Sequence, residues 1–284
     1  MNPYHFYYSL IRDVFLARAD KKIDYSESFY TQRPIDEELK NGDWIRKSSV
    51  YSMMIRASGS FDHDRTGSLE DRNLYKLKDT GTFIKALAML PNLKKMGIDV
   101  LYLLPIAKYS LKDKKGELGS PYGVSNFNAL DQGLKDPITG DATTVEQEFK
   151  AFVEAAHILG MKVIIDIIPR TNSVNSDLIV DHPDWFYWLD LADLPDYRSP
   201  MVPGLKAAIP AKKEYAPQIY ASEEVLQHIR KFRKNPKQID AKKWREMIKE
   251  YKSEGNTKEI LDLVQEYFKM TIAPAFSDCI NDPQ

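Results

Sequence analysis

One cysteine, Cys279, stands in 284 residues. A single thiol excludes an intrachain disulfide framework and fits a reducing compartment, so the cytoplasm is the expected location. Net charge is also missing. Lys and Arg number 40 against 41 Asp and Glu, which leaves −1 at pH 7. Such a balance gives no electrostatic reason to expect nucleic acid or an anionic membrane as partner. No stretch approaches ~18 uninterrupted apolar residues, the length a membrane-spanning helix needs. The opening Met1-Asn2-Pro3-Tyr4-His5 has no basic segment followed by an apolar run, so a secretion signal is not expected.

What is present suits a packed α/β protein. The apolar fraction is 43%, ample for a core, and roughly 250 residues suffice for a whole (β/α)₈ barrel. Helical spacing of Phe6, Leu10, Val14 and Phe15 predicts a surface helix over 5–18, followed by a polar, irregular stretch to residue 47. Residues 49–55 read as a strand, and 57–80 as a polar loop. Phe83, Ala86, Leu87, Leu90 and Leu93 make one helical stripe over 82–96, bent or interrupted at Pro91 and stopped by Gly97. The run 98–104, closed by Pro105, suits a strand buried on both faces. The unit then repeats. Thr143 or Thr144 caps a helix to Leu159 with Glu146 and Glu148 in its first turn, Gly160 ends it, and 161–168 is a second buried strand closed by Pro169.

Strand, helix, strand, helix, strand in one direction is a parallel α/β sheet. Beyond Trp188 the pattern changes. Proline recurs at 195, 200, 203, 210 and 217, and 223–270 reads as two or three charged amphipathic helices without a further buried strand. The expected division is an N-terminal extension over 1–47, the first three βα units of a barrel over 48–188, and a mostly helical insertion over 189–284. Three strands cannot close a barrel of eight.

Several segments resemble the α-amylase superfamily (glycoside hydrolase family 13) in one consistent order. Gly97-Ile98-Asp99-Val100-Leu101-Tyr102-Leu103-Leu104-Pro105-Ile106 is similar to its second barrel strand. Gly119-Ser120-Pro121-Tyr122-Gly123-Val124, with Asn126-Phe127 and Leu130-Asp131, resembles the loop that places an aromatic ring under a sugar. The helix and strand over 148–166 match the pair leading to the superfamily's first motif. Within that group Asp166-Ile167-Ile168-Pro169-Arg170-Thr171, His182-Pro183-Asp184-Trp185-Phe186-Tyr187-Trp188 and the closing 276–284 look like the bacterial maltosyltransferases.

The resemblance implies an activity and a gap. It implies transfer of maltosyl units between α-1,4-glucans through a covalent glycosyl-enzyme. A hydrolytic α-amylase, or a half-barrel that only binds glucan or a partner, are the alternatives. The family's nucleophile, acid-base and stabilising carboxylates follow later strands, so no catalytic residue is expected here and the chain alone is expected to be inactive. Retaining transfer needs two carboxylates about 5–5.5 Å apart. Maltooligosaccharides are the implied ligands, and complementation by a C-terminal half-barrel is a conceivable partnership. Most of the superfamily has Asn-His where Arg170 and Thr171 stand, so neither its calcium nor its His–sugar contact is expected. No cofactor is implied.

Four residues are candidate binding groups. Asp166, an acid at the end of an apolar strand, is expected at the barrel rim where sites gather, or serves as a structural cap or ion-pair partner. Tyr122 either stacks on a pyranose face or packs on the rim. Arg170 binds hydroxyls or an anion, or pairs with Asp166. Thr171 occupies the place of the family's His. Trp185 to Trp188 form an acceptor platform or a satellite core. Asp62-His63-Asp64-Arg65-Thr66-Gly67 imitates the start of an EF-hand loop, but Asn73 replaces the bidentate Glu, so a polar turn is expected and no metal. Arg230-Lys231-Phe232-Arg233-Lys234 reads as a solvated helix face, and Cys279 as an inert core thiol.

Overall fold

The computed structural model describes residues 9, 43–111, 118–169, 172–201 and 213–274. The surface helix expected over 5–18, and Cys279 with the closing segment, lie outside the described residues apart from Ser9. The chain divides into two compact units, Met1–Thr171 and Asn172–Gln284.

The first unit is a mixed α/β arrangement. Three parallel strands, β1 (Val50–Met53), β2 (Val100–Leu103) and β5 (Lys162–Ile165), pair in the order β1-β2-β5. Each is shorter than the apolar run that predicts it, because both ends of those runs turn out of the ladder. After β1 the chain coils at once into a one-turn helix, Ile55–Ser58. Two helices connect the strands: α1 (Phe83–Lys95) and α2 (Val145–Ile158). Thr82 caps α1 by accepting from Lys85 N, and Gly97 follows it with φ +83°. Pro91 lies inside α1, buried with the apolar stripe. Of the two candidate caps for α2, Thr144 is the one used, in a reciprocal capping box with Gln147. Phe83, Leu87, Leu90, Phe152 and Ala156 of the helices pack with Met53, Leu101 and Leu103 of the strands. One face of the sheet is thereby buried against helices.

A bulged antiparallel pair, β3 (Ala107–Tyr109) and β4 (Val124–Leu130), follows β2. Polar side chains fasten the loops behind it. Glu148 of α2, fully buried, accepts from Asp136 N at 2.9 Å and from Thr139 Oγ1 at 2.6 Å, while Asp136 accepts from Thr82 Oγ1 at 2.5 Å. Lys85, buried on α1, donates to the carbonyls of Lys78, Asp79 and Thr80. Burial lowers its ammonium to about 8, against the pull of Asp136 and Asp79.

The second unit is mostly helical: α3 (Glu223–Arg230), α4 (Ala241–Tyr251) and α5 (Ile260–Phe268). Its core gathers Ile179, Trp188, Trp244, Met247, Leu263 and Val264. The sequence predicts no strand here, yet β6 (Trp188–Asp190) pairs antiparallel with β7 (Met270–Ile272). Three residues between helices carry too little period to read in advance. Among the described residues no helix is long and apolar enough to cross a membrane.

Candidate functional site

The C-terminal ends of parallel strands are where α/β sheets collect functional groups, because the loops leaving them converge there. Asp166 sits one residue past β5, and its N–H still donates to Leu103 O at 2.8 Å. Side chains alternate along a strand, so Asp166 shares a face with Ile164, and Ile164 lies opposite Tyr102 in the register. That face is the one turned away from Leu101 and Leu103, which pack on the helices.

Tyr122 arrives from the loop between β3 and β4. Ser120-Pro121-Tyr122-Gly123 closes as a turn, with Gly123 N donating to Ser120 O at 3.3 Å, and proline suits its second position. Arg56, nearly buried beyond β1, anchors this stretch. It donates to Leu118 O at 2.7 Å, approaches Asp131 at 3.7 Å, and lies 3.7 Å over the Tyr109 ring. Burial raises the Asp131 carboxyl, and Arg56 opposes that rise.

The Tyr122 hydroxyl donates to Asp166 Oδ2 at 2.9 Å. Desolvation, then the bond to Asp166 and the charges nearby, push this phenol up to about 12. Tyr122 nonetheless keeps 37% of its surface exposed, leaving ring area for a ligand. Sequence reasoning missed Tyr102. Its phenol is raised by desolvation and by the nearby Asp166 carboxylate. Counting alternate positions across the parallel register would have found it; the apolar run around it hid the signal.

Tyr122 and Asp166 are therefore together, whereas Arg170 and Thr171 lie outside the described residues. The aromatic run at 185–188 splits by role. Trp188 is buried and donates to Pro183 O at 2.6 Å. Trp185 lies 62% exposed and stacks flat on His182 at 4.0 Å, and exposed Tyr187 tilts against Phe232 at 5.2 Å. In the basic run, Arg233 pairs with Asp190 at 2.7 Å.

One acidic group merits comparison with a cation site. Asp62, Asp64 and Asp79 bring one ligand oxygen each within 4.8 Å of one another. Their oxygens already fold the loop. Asp62 accepts from Thr66 N and Gly67 N, Asp64 from Leu74 N, and Asp79 from Asn73 Nδ2 and Glu70 N. These hydrogen bonds close a polar turn, while Asp64 Oδ1 is buried without a hydrogen-bond partner.

No family model matches the chain. Among curated proteins it is similar to the α-1,4-glucan:maltose-1-phosphate maltosyltransferase of Mycolicibacterium smegmatis, 29% identical over 55% of this chain and 22% of that protein. The enzyme of the same name from Chlorobaculum tepidum is 34% identical over 38% of this chain and 17% of its own length. The chain thus spans about a fifth of the length of the curated relatives it matches. Among solved structures, an α-amylase from Lactobacillus plantarum is 26% identical, covering 66% of this chain and 37% of that one with a TM-score of 0.38. The curated proteins to which the chain is similar are bacterial maltosyltransferases, the group whose motifs its sequence resembles.

Proposed function

We propose that the first unit holds one wall of an α-glucan site, as the first part of a (β/α)₈ barrel over 48–188, in a cytoplasmic enzyme that transfers maltosyl units between α-1,4-glucans. On this reading 1–47 is an extension and 189–284 an insertion after the third barrel strand. The observation that carries it is the Tyr122–Asp166 hydrogen bond at the C-terminal ends of the parallel strands. It sets an exposed aromatic face beside a carboxylate. A pyranose offers apolar C–H groups to such a ring and hydroxyls to such an acceptor.

Asp166 would take the hydroxyls and, through its other acceptor positions, a guanidinium from the wall facing it. Arg170 and Thr171 are proposed to line the same site. Retaining transfer also needs a pair of carboxylates about 5–5.5 Å apart. Among the described residues no contact places a second carboxylate beside Asp166. The chain by itself is therefore proposed to bind glucan without turning it over, and to gain activity with a complementary half-barrel.

Titration of the purified chain with maltotriose, read by ¹H–¹⁵N NMR, tests the reading together with an assay for maltooligosaccharide redistribution. Shifts clustered at Tyr122 and Asp166 with no product are expected. Product formation abolished by a substitution within this chain would show that its catalytic groups lie elsewhere than proposed, and absence of binding would overturn the glucan site.

A further inference from the structure

The extended chain leading into β6 sorts its aromatic residues by alternation. Phe186 (φ −116°, ψ 150°) and Trp188 turn into the core of the second unit, which leaves Trp185 and Tyr187 outward, 62% and 72% exposed. Both outward rings are braced from behind. Trp185 lies flat on His182, with 4.0 Å between centroids and 10° between planes. The turn carrying that pair is pinned: Trp185 N donates to His182 O, Pro183 is buried, and Pro183 O accepts from the Trp188 indole. Tyr187 leans on Phe232 at 5.2 Å, its carbonyl accepts from Ala273 N, and Arg233 N, next to Phe232, donates to Trp188 O. Polar groups border the rings: exposed Asp184 beside Trp185, and the Arg233–Asp190 pair beside Phe232.

Folding gains by burying large rings, so two that stay in water and are held still call for another reason. At about 150–250 Å² apiece they fall short of the ~800 Å² a side of a standard protein interface. They suit a ligand with small apolar faces and a rim of hydroxyls. We propose that Trp185 and Tyr187 form a second glucan-binding platform, built by the second unit from its own residues and taking no part in chemistry. Pyranose C–H faces rest on the two rings, and hydroxyls meet Asp184 and Arg233. Alternate residues of an extended chain lie about 7 Å apart, so one oligosaccharide crosses both rings. The ligand class rests on the glucan reading above. The residues do not, because Trp185 and Tyr187 belong to the second unit and Tyr122 and Asp166 to the first.

The test is ¹⁹F NMR of the full chain labelled with 5-fluorotryptophan and titrated with maltoheptaose, the Trp185 signal being assigned from Trp185→Phe. That signal should move saturably, while those of buried Trp188 and Trp244 stay in place and report an intact fold. Tyr187→Ala, which keeps the Trp185 probe, should weaken the affinity roughly three- to tenfold, and Tyr187→Phe, which keeps the ring, should bind like the wild type. Tyr122→Ala should leave the Trp185 response unchanged. A still Trp185 signal while the Tyr122 amide responds would overturn the platform alone, and silence at both would overturn both glucan readings. A Trp185 response without one at Tyr122 would keep the platform and remove the first site. Undiminished affinity in Tyr187→Ala, or a response lost in Tyr122→Ala, would also overturn the proposal. So would a Trp185 signal that moves with protein concentration instead of sugar, which would assign the rings to a contact between copies of the chain.

Discussion

The Tyr122 hydroxyl and the Asp166 carboxylate stand 2.9 Å apart across 44 residues of sequence. Neither segment specifies the contact alone. It exists because Arg56 fastens the loop at Leu118 while the parallel register fixes where β5 ends.

Substitutions at Tyr122 should separate the ring from the hydroxyl. Tyr122→Ala removes both and is expected to weaken maltotriose binding by about 1–2 kcal/mol, the scale of an aromatic contact. Tyr122→Phe keeps the stacking face and loses only the bond to Asp166, so its loss should be smaller. Calorimetric titration of the two variants checks the order. Equal affinity in wild type and Tyr122→Ala would remove the stacking role.

Gly81 is a position where the fold admits no side chain. A Cβ built there would lie 1.8 Å from Ile55 O and 3.0 Å from Gly59 Cα, both backbone atoms that cannot turn aside. Gly81→Ala should cost at least the ~1–3 kcal/mol typical of overpacking, measured by urea unfolding. Because Gly81 N also bonds Arg56 O, the same variant should disturb the Arg56 anchor and shift the Tyr122 signals. Unchanged stability would contradict the close approach.

Stability should vary with pH in a window set by Lys85. Its folded-state value of about 8 lies below the unfolded 10.5, so between those limits the unfolded chain binds more protons and stability rises with pH. Below about pH 8 the charged amine costs its full burial penalty. Above pH 10 the trend should turn over, because Tyr122 and Tyr251, both raised to about 12, favour the folded state only while the unfolded phenols remain protonated. Thermal melts from pH 7 to 10 should show the rise, and Lys85→Met should flatten it. A wild-type profile that falls steadily over that range would contradict the assignment.

Trp188 is the test of the second unit. Its indole is buried among Ile179, Met247 and Ile272 and donates to Pro183 O. Trp188→Phe keeps most of the apolar volume but strands that carbonyl, a loss of about 1–3 kcal/mol. Denaturant melts of wild type and variant give the comparison. Identical midpoints would show that the carbonyl finds water or another donor.

The sequence made the parallel α/β core legible because its signals are local and redundant. The stripe Phe83–Leu93 has helical period, Gly97 and Gly160 stop both helices, and Val100–Leu103 and Lys162–Ile165 lie within apolar runs bounded by proline. Tyr122 and Asp166 were legible through motif resemblance. What stayed hidden depends on pairing between distant segments. β7 is three residues whose strand character comes from its partner β6, and Tyr102 reads as core until the β2–β5 register puts it on the face of Asp166. Trp185 and Trp188, three positions apart in one aromatic run, part company because only Trp188 enters a ladder and a core.

The Arg56 anchor has a consequence for how a ligand would be captured. Its guanidinium, held by the Leu118 carbonyl, the Tyr109 ring and Asp131, fixes the base of the stretch that presents Tyr122. The conformational freedom of that base is lost when the protein folds and not again when a sugar arrives. Encounter with a glucan should then be limited by diffusion and desolvation of the ring, with no slow ordering phase, which is the kinetic mark of a preorganised surface.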